Sequence, residues 1–131
     1  MNSPSRQAQE PIANTQPPFP QTESIAARLA ELRDRGPQPG ARAPDPAAFT
    51  DAESFAEQLP RPLGQMPHIS LAGDGELNFA WNGGAIYVDL GFYGTGTYSY
   101  FARDQEGRKH HEDDVPAHAP IPDSLMQVLS G

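Results

Sequence analysis

The chain has 131 residues, no cysteine, and 17 acidic against nine basic side chains, for a formal net charge of −8. Without cysteine there are no disulfides, thiolate nucleophiles or zinc–thiolate sites; residues 67–131, with three basic and nine acidic groups, offer no basic stripe to phosphate backbones, so no direct nucleic-acid partner is expected. No apolar stretch approaches a membrane span, and the opening MNSPSRQAQEP lacks a basic segment followed by an apolar run, so a cytoplasmic protein with no membrane partner is expected.

In chain order, residues 1–21 hold Pro4, Pro11, Pro17, Pro18 and Pro20 among polar neighbours. Proline lacks an amide donor and holds the chain extended, so a disordered tail is expected there. Residues 22–36 read as a short amphipathic helix. Ile25, Leu29 and Leu32 share one face, Arg33 and Arg35 sit in the last turn, and Gly36-Pro37 is a stop signal. A stripe this narrow is marginal alone in water and needs cover from its own domain, a second copy of the chain or a partner. Residues 37–48 are linker by composition, with no periodic apolar side chain.

The domain proper is expected over residues 49–131. A second helix opens at Thr50 in the capping box Thr50-x-x-Glu53, carries Ala52, Phe55, Ala56 and Leu59 on one face, and ends at Pro60. From Pro67 to Arg103 the chain alternates. Leu77, Phe79 and Trp81 are interleaved with Glu76, Asn78 and Ala80, and Ile86, Val88, Leu90 and Phe92 with Tyr87, Asp89 and Gly91. This is the two-residue period of half-buried strands. Gly73-Asp74-Gly75, Asn82-Gly83-Gly84 and Gly94-Thr95-Gly96 supply the turns that hairpins need.

Beyond Arg103, Asp104 to Gly107 turns toward a short strand at 108–111, DDVPAHAP reads as an irregular crossing, and a terminal helix starts at Pro122 or Asp123 with Leu125, Met126, Val128 and Leu129 as its apolar contacts. The expected fold is α+β: an antiparallel meander of four or five strands with short helices on one side. Trp81 shares a strand face with Leu77 and Phe79 and should anchor the core beneath Phe55 and Leu59.

Three constellations bear on chemistry. His110, His111 and Glu112, with His118 nearby in sequence, could centre a small metal-dependent enzyme. Adjacent residues of an extended segment point to opposite faces, however, and neither H-x-H nor H-x-x-x-H spacing occurs, so no metal and no other cofactor is expected. Asp74 and Glu76 flank Gly75 in a hairpin, where Asp-Gly serves the turn rather than acid–base catalysis. Gly91, Gly94 and Gly96 precede no helix and so make no phosphate cradle. Catalytic residues are therefore not assigned, and a non-enzymatic role is expected, the alternatives being that small metal-dependent enzyme or a structural domain of a larger assembly.

The aromatic residues Tyr87, Phe92, Tyr93, Tyr98, Tyr100 and Phe101 are more informative, because one face of the sheet cannot hide them all. Tyr98 and Tyr100 share a face and Phe101 takes the other; a one-residue slip in register would exchange them. The expected partner-binding surface is Tyr87, Tyr93 and Phe101, with Asp89 and Asp104 steering a basic protein partner. The Ile25, Leu29, Leu32 stripe is the alternative surface, and a homodimer is an open alternative for the partner.

The segment AESFAEQLP (Ala52 to Pro60), the step Pro67-x-Ile69, the run Gly73-Asp74-Gly75-Glu76, Trp81 and a terminal P-x-S-L helix together resemble a group of small bacterial proteins of the pattern A-x-x-F-x-x-x-L-P, P-x-I, D-G-E-x-x-x-x-W. The resemblance covers residues 49–129. Members lie beside toxin-like or mobile-element genes, which implies a neutralising or regulatory role of antitoxin, immunity or inhibitor type, and it carries no activity over.

Overall fold

The computed structural model describes residues 21–60 and 63–130, with side chains from Ile25 onward. Residues 1–20 of the expected tail fall outside the described residues, and Gln21 opens the first helix. The elements in order are α1 (Gln21–Arg35), α2 (Pro46–Ala56), β1 (His68–Leu71), β2 (Leu77–Trp81), β3 (Tyr87–Phe92), β4 (Thr97–Arg103), β5 (Lys109–Pro116) and α3 (Asp123–Ser130). The five strands form one antiparallel sheet in the order β1-β2-β3-β4-β5. The fold is α+β, a meander with helices on one face.

Strand alternation decides which side chains those helices cover. Ile69, Leu77, Phe79, Trp81, Val88, Leu90, Phe92, Tyr98, Tyr100 and Ala102 are all buried, and their register partners confirm that they share a face. Phe55 of α2 sits over the middle of that face. Its ring meets Phe79, Phe92 and Tyr98 edge-on, with centroids 5.9, 5.7 and 5.0 Å away, the arrangement that aligns ring edges with ring faces. Trp81 closes one end of this cluster, and its indole N–H donates to the Gln65 carbonyl at 2.8 Å.

The first helix is part of this core. Ile25, Leu29 and Leu32 are buried, α1 packs on α2 and β1, and Arg28 Nε donates to the Ile69 carbonyl at 3.1 Å. Two corrections follow. The stripe considered as an alternative partner surface is closed by the chain's own core, because a short amphipathic helix finds its cheapest cover in the adjacent apolar layer. The segment expected as linker is likewise integral: Arg42 N–H donates to the Gly73 carbonyl at 2.9 Å, Pro46 to Ala48 belong to α2, and Ala48 is buried.

The start of α2 is a third correction. Asp45, in extended conformation, caps the helix by accepting from the Ala47 amide at 2.9 Å, and Pro46 occupies the first turn. An Asp-Pro pair fits this role because the carboxylate satisfies a free amide and proline has none to satisfy. Thr50 is thus interior to the helix, and Glu53 pairs with Arg33 at 3.0 Å.

β5 is longer than the sequence indicates and takes in the first half of the segment read as an irregular crossing, as far as Pro116. Its pairing with β4 shifts between Tyr98 and Tyr100, and Asp114 takes a positive φ of 56°. This is a bulge, which absorbs the extra residue and lets Val115 return to the core. Pro116 is tolerated at the end of a strand with no neighbour on its outer side.

Tyr98 carries the one hydroxyl among the described residues that is buried with no hydrogen-bond partner. Burial, with smaller contributions from Tyr100 and Glu112, pushes its phenol well above the ordinary range. Tyr98→Phe removes an unsatisfied polar atom and is expected to leave stability unchanged or raise it by about 1 kcal/mol at neutral pH. The alkaline behaviour has a definite sign. A raised folded-state value gives stability that is complete below about pH 10 and is lost as pH rises toward the folded value. Urea titrations from pH 8 to 11 should therefore show a shallower alkaline loss in Tyr98→Phe than in the parent; a destabilised variant with the parent's slope would contradict the burial account.

Candidate functional site

The sheet face away from the helices presents Asn78, Tyr87, Asp89, Gly91, Ser99, Phe101, Arg103 and His111, placed there by alternation and register. Asp89 lies opposite Phe101 on β4, and Phe101 opposite His111 on β5. Tyr87 and Phe101 pack edge to face at 6.0 Å, with the Arg103 guanidinium 5.8 Å from the Tyr87 ring centre. Phe101 remains 37% exposed, and Tyr93 49%. These are the two large apolar or aromatic side chains most open to solvent among the described residues.

Next to this pair is an open groove of about 310 Å³, lined among others by Glu76, Asp89, Gly91, Phe101, His111 and Asp113. Its floor depends on Gly91. A Cβ there would fall 1.7 Å from a Glu76 carboxylate oxygen, so only glycine lets Glu76 fold back over the sheet. Asn78 fixes the second carboxylate, its amide donating to Asp89 Oδ1 at 2.6 Å and to the Leu90 carbonyl at 3.0 Å. Partial burial, then the neighbouring Asp74 and Asp89 charges, push the Glu76 carboxyl above its ordinary value.

At the same end of the sheet, Tyr93 donates its hydroxyl to Asp74 at 2.7 Å. That bond, together with the Glu76 amide, holds the Asp74 carboxyl below its ordinary value; the same bond to Asp74, with partial desolvation, pushes the Tyr93 phenol up to about 12. Tyr93 is thereby oriented by the β1–β2 turn rather than by the Tyr87–Phe101 pair.

Of the residues singled out from sequence, Tyr87, Asp89 and Phe101 lie together on the outer face, and Tyr93 lies at its end. Asp104 does not join them. It belongs to the β4–β5 turn, where it bonds Arg108 at 3.0 Å and His110 at 3.2 Å. Partial desolvation raises its carboxyl, but the bonds from His110 and from the Arg108 amide and guanidinium outweigh this and bring it down to about 2. Its charge is engaged by its own hairpin, the ordinary fate of an aspartate that opens a tight turn.

The histidines separate as alternation requires. His110 lies opposite buried Ala102, turned toward Asp104 and α3, whereas His111 lines the groove on the outer face. Glu112 is on the side of Tyr100, accepting from its hydroxyl at 3.2 Å. Among the described residues, no group of three or more His, Asp or Glu side chains is placed to hold a metal ion.

His118 is elsewhere, with its Nε2 2.8 Å from an oxygen of Asp51. Asp51 is the one buried charged side chain among the described residues, and its other oxygen accepts the Gly96 amide at 2.9 Å. It ties α2 to the β3–β4 turn and to the segment leading into α3. Close packing at that turn is reinforced at Gly94, whose φ of 88° and nearness to Asp45 exclude a side chain.

Glu76, Asn78, Gly91 and His111 are site residues that sequence reasoning did not assign. Alternation alone places Asn78 and Gly91 on the outer face. The inward fold of Glu76 depends on the close approach of two strands and has no local signal. Comparison with protein-family models, with curated proteins and with solved structures returns no match to this chain.

Proposed function

We propose that the chain is a protein-binding module of neutralising or regulatory kind, in the manner of an antitoxin, immunity protein or inhibitor, and that it holds a basic protein on the outer face of its sheet. The observation that carries this reading is one-sided cover. Among the described residues, helices pack on one face only, and the other face leaves the Tyr87–Phe101 pair partly exposed beside Glu76 and Asp89. Aromatic rings ordered by their own packing offer contact area at low entropic cost, and surrounding carboxylates steer a partner of opposite charge. A second copy of the chain would set two acidic faces against each other, so charge favours a basic partner over a homodimer.

Capture of the partner from the native host by Tyr87→Ala and Phe101→Ala chains tests this. Each variant is expected to melt near the parent and to bind at least tenfold more weakly, as truncated aromatic anchors do. Capture by the parent should also fall as salt rises through about 0.5 M, since exposed charges are screened over a few ångströms there. Undiminished capture by both folded variants would remove the outer face from consideration.

A further inference from the structure

Beside the aromatic pair, the groove combines three features in one place. Gly91 gives it a floor without a side chain, over which the Glu76 carboxylate is folded. Asp89 stands beside it with one oxygen held by Asn78, leaving the other free to accept. Phe101 forms an adjoining wall, partly exposed and braced from behind by Tyr87. No hydrogen bond to the Glu76 carboxylate is made by any described side chain, and its partial burial, then the Asp74 and Asp89 charges, raise the cost of leaving it charged and unpaired. Two adjacent carboxylates against a ring face are complementary to a planar cation.

Resting on the docking surface proposed above, we infer that this groove receives an arginine side chain of the partner, its guanidinium bridging Glu76 and Asp89 and lying against the Phe101 ring. Arginine fits better than lysine. Its planar fork donates to two carboxylates at once, it stacks on an aromatic face, and it sheds water more readily than an ammonium group. His111 and Asp113 line the same groove, where the Asp113 carboxylate adds attraction for a cation.

The test uses the full chain, isotopically labelled, at low salt, with a blocked Gly-Arg-Gly peptide as the probe and Gly-citrulline-Gly, equal in shape but uncharged, as its control. Millimolar arginine peptide is expected to shift the amide resonances of Gly91, Ser99 and Phe101, and the citrulline peptide to leave them in place. Glu76→Gln with Asp89→Asn should weaken binding at least fivefold. Gly91→Ala keeps every charge but displaces the Glu76 carboxylate, and should weaken it too; an effect of the double variant without one of Gly91→Ala would reduce the site to bulk charge and overturn it.

Absence of shifts, equal shifts with citrulline, or shifts centred elsewhere would overturn the arginine site as well. So would an Arg6→Gln change that moves the same resonances with no peptide present, because the chain's own first residues would then be the occupant. Failure here is separable from failure of the docking surface. If Tyr87→Ala and Phe101→Ala still impair capture while the peptide does nothing, the surface stands and the arginine anchor is wrong.

Discussion

Trp81→Ala is expected to lower stability by on the order of 3 to 5 kcal/mol, the range for removing a fully buried large ring. Trp81 is 1% exposed, pairs with Val88 across β2–β3, and packs against Phe79 with ring centres 6.2 Å apart. Its indole N–H also fixes the Gln65 carbonyl at the entry to the meander, so alanine leaves both a cavity and a half-buried acceptor without its donor. Urea unfolding should show a lower midpoint with the parent's slope. A variant that unfolds like the parent but loses partner capture would make Trp81 a binding residue instead of a core anchor.

Asp51→Ala is the second large effect, at about 2 to 3 kcal/mol, because it strips charge-assisted bonds from the Gly96 amide and from His118. The comparison with His118→Ala discriminates. His118 is 54% exposed while the Asp51 side chain is 5% exposed, so water can replace the aspartate for histidine more readily than anything can replace it for the buried end of the clasp. His118→Ala should therefore cost less than half as much, and Asp51→Asn, which keeps an acceptor for Gly96, should fall between. Equal and small losses for Asp51→Ala and His118→Ala would show that the clasp contributes little.

Strand faces are legible in the sequence because the two-residue period holds from Leu77 to Trp81, from Ile86 to Phe92 and from Thr97 to Arg103, and a helix with Phe55 supplies cover for only one side. Alternation thus sets Tyr87 and Phe101 on the face opposite Tyr98 and Tyr100, provided the register holds. Position along the strands was less legible. The fifth strand was underestimated because Glu112, Asp113 and Asp114 break the alternation and a bulge is needed to restore it at Val115. The helix start at Asp45-Pro46 was obscured by the surrounding prolines, and Thr50 offered a competing cap.

Contacts between distant segments left no pattern at all. Asp51 reads locally as an acidic residue in an ordinary first turn, and only folding brings Gly96 and His118 to its two oxygens. Glu76 likewise reads as a turn residue, yet its carboxylate comes to rest over Gly91, fifteen positions away in the chain, on the face proposed to bind. Long-range contacts of this kind depend on register, which a single sequence encodes only through its hydrophobic period.

The claim that the outer face holds the partner is tested most directly by hydroxyl-radical footprinting, read by mass spectrometry on the free chain and on the chain recovered with its partner. Tyr87 and Phe101 should oxidise several times more slowly in the complex, while His118, half-exposed on the helix side, should keep its rate. Unchanged oxidation of Tyr87 and Phe101, with protection appearing at His118 or Met126 instead, would contradict it and place the partner on the helical layer.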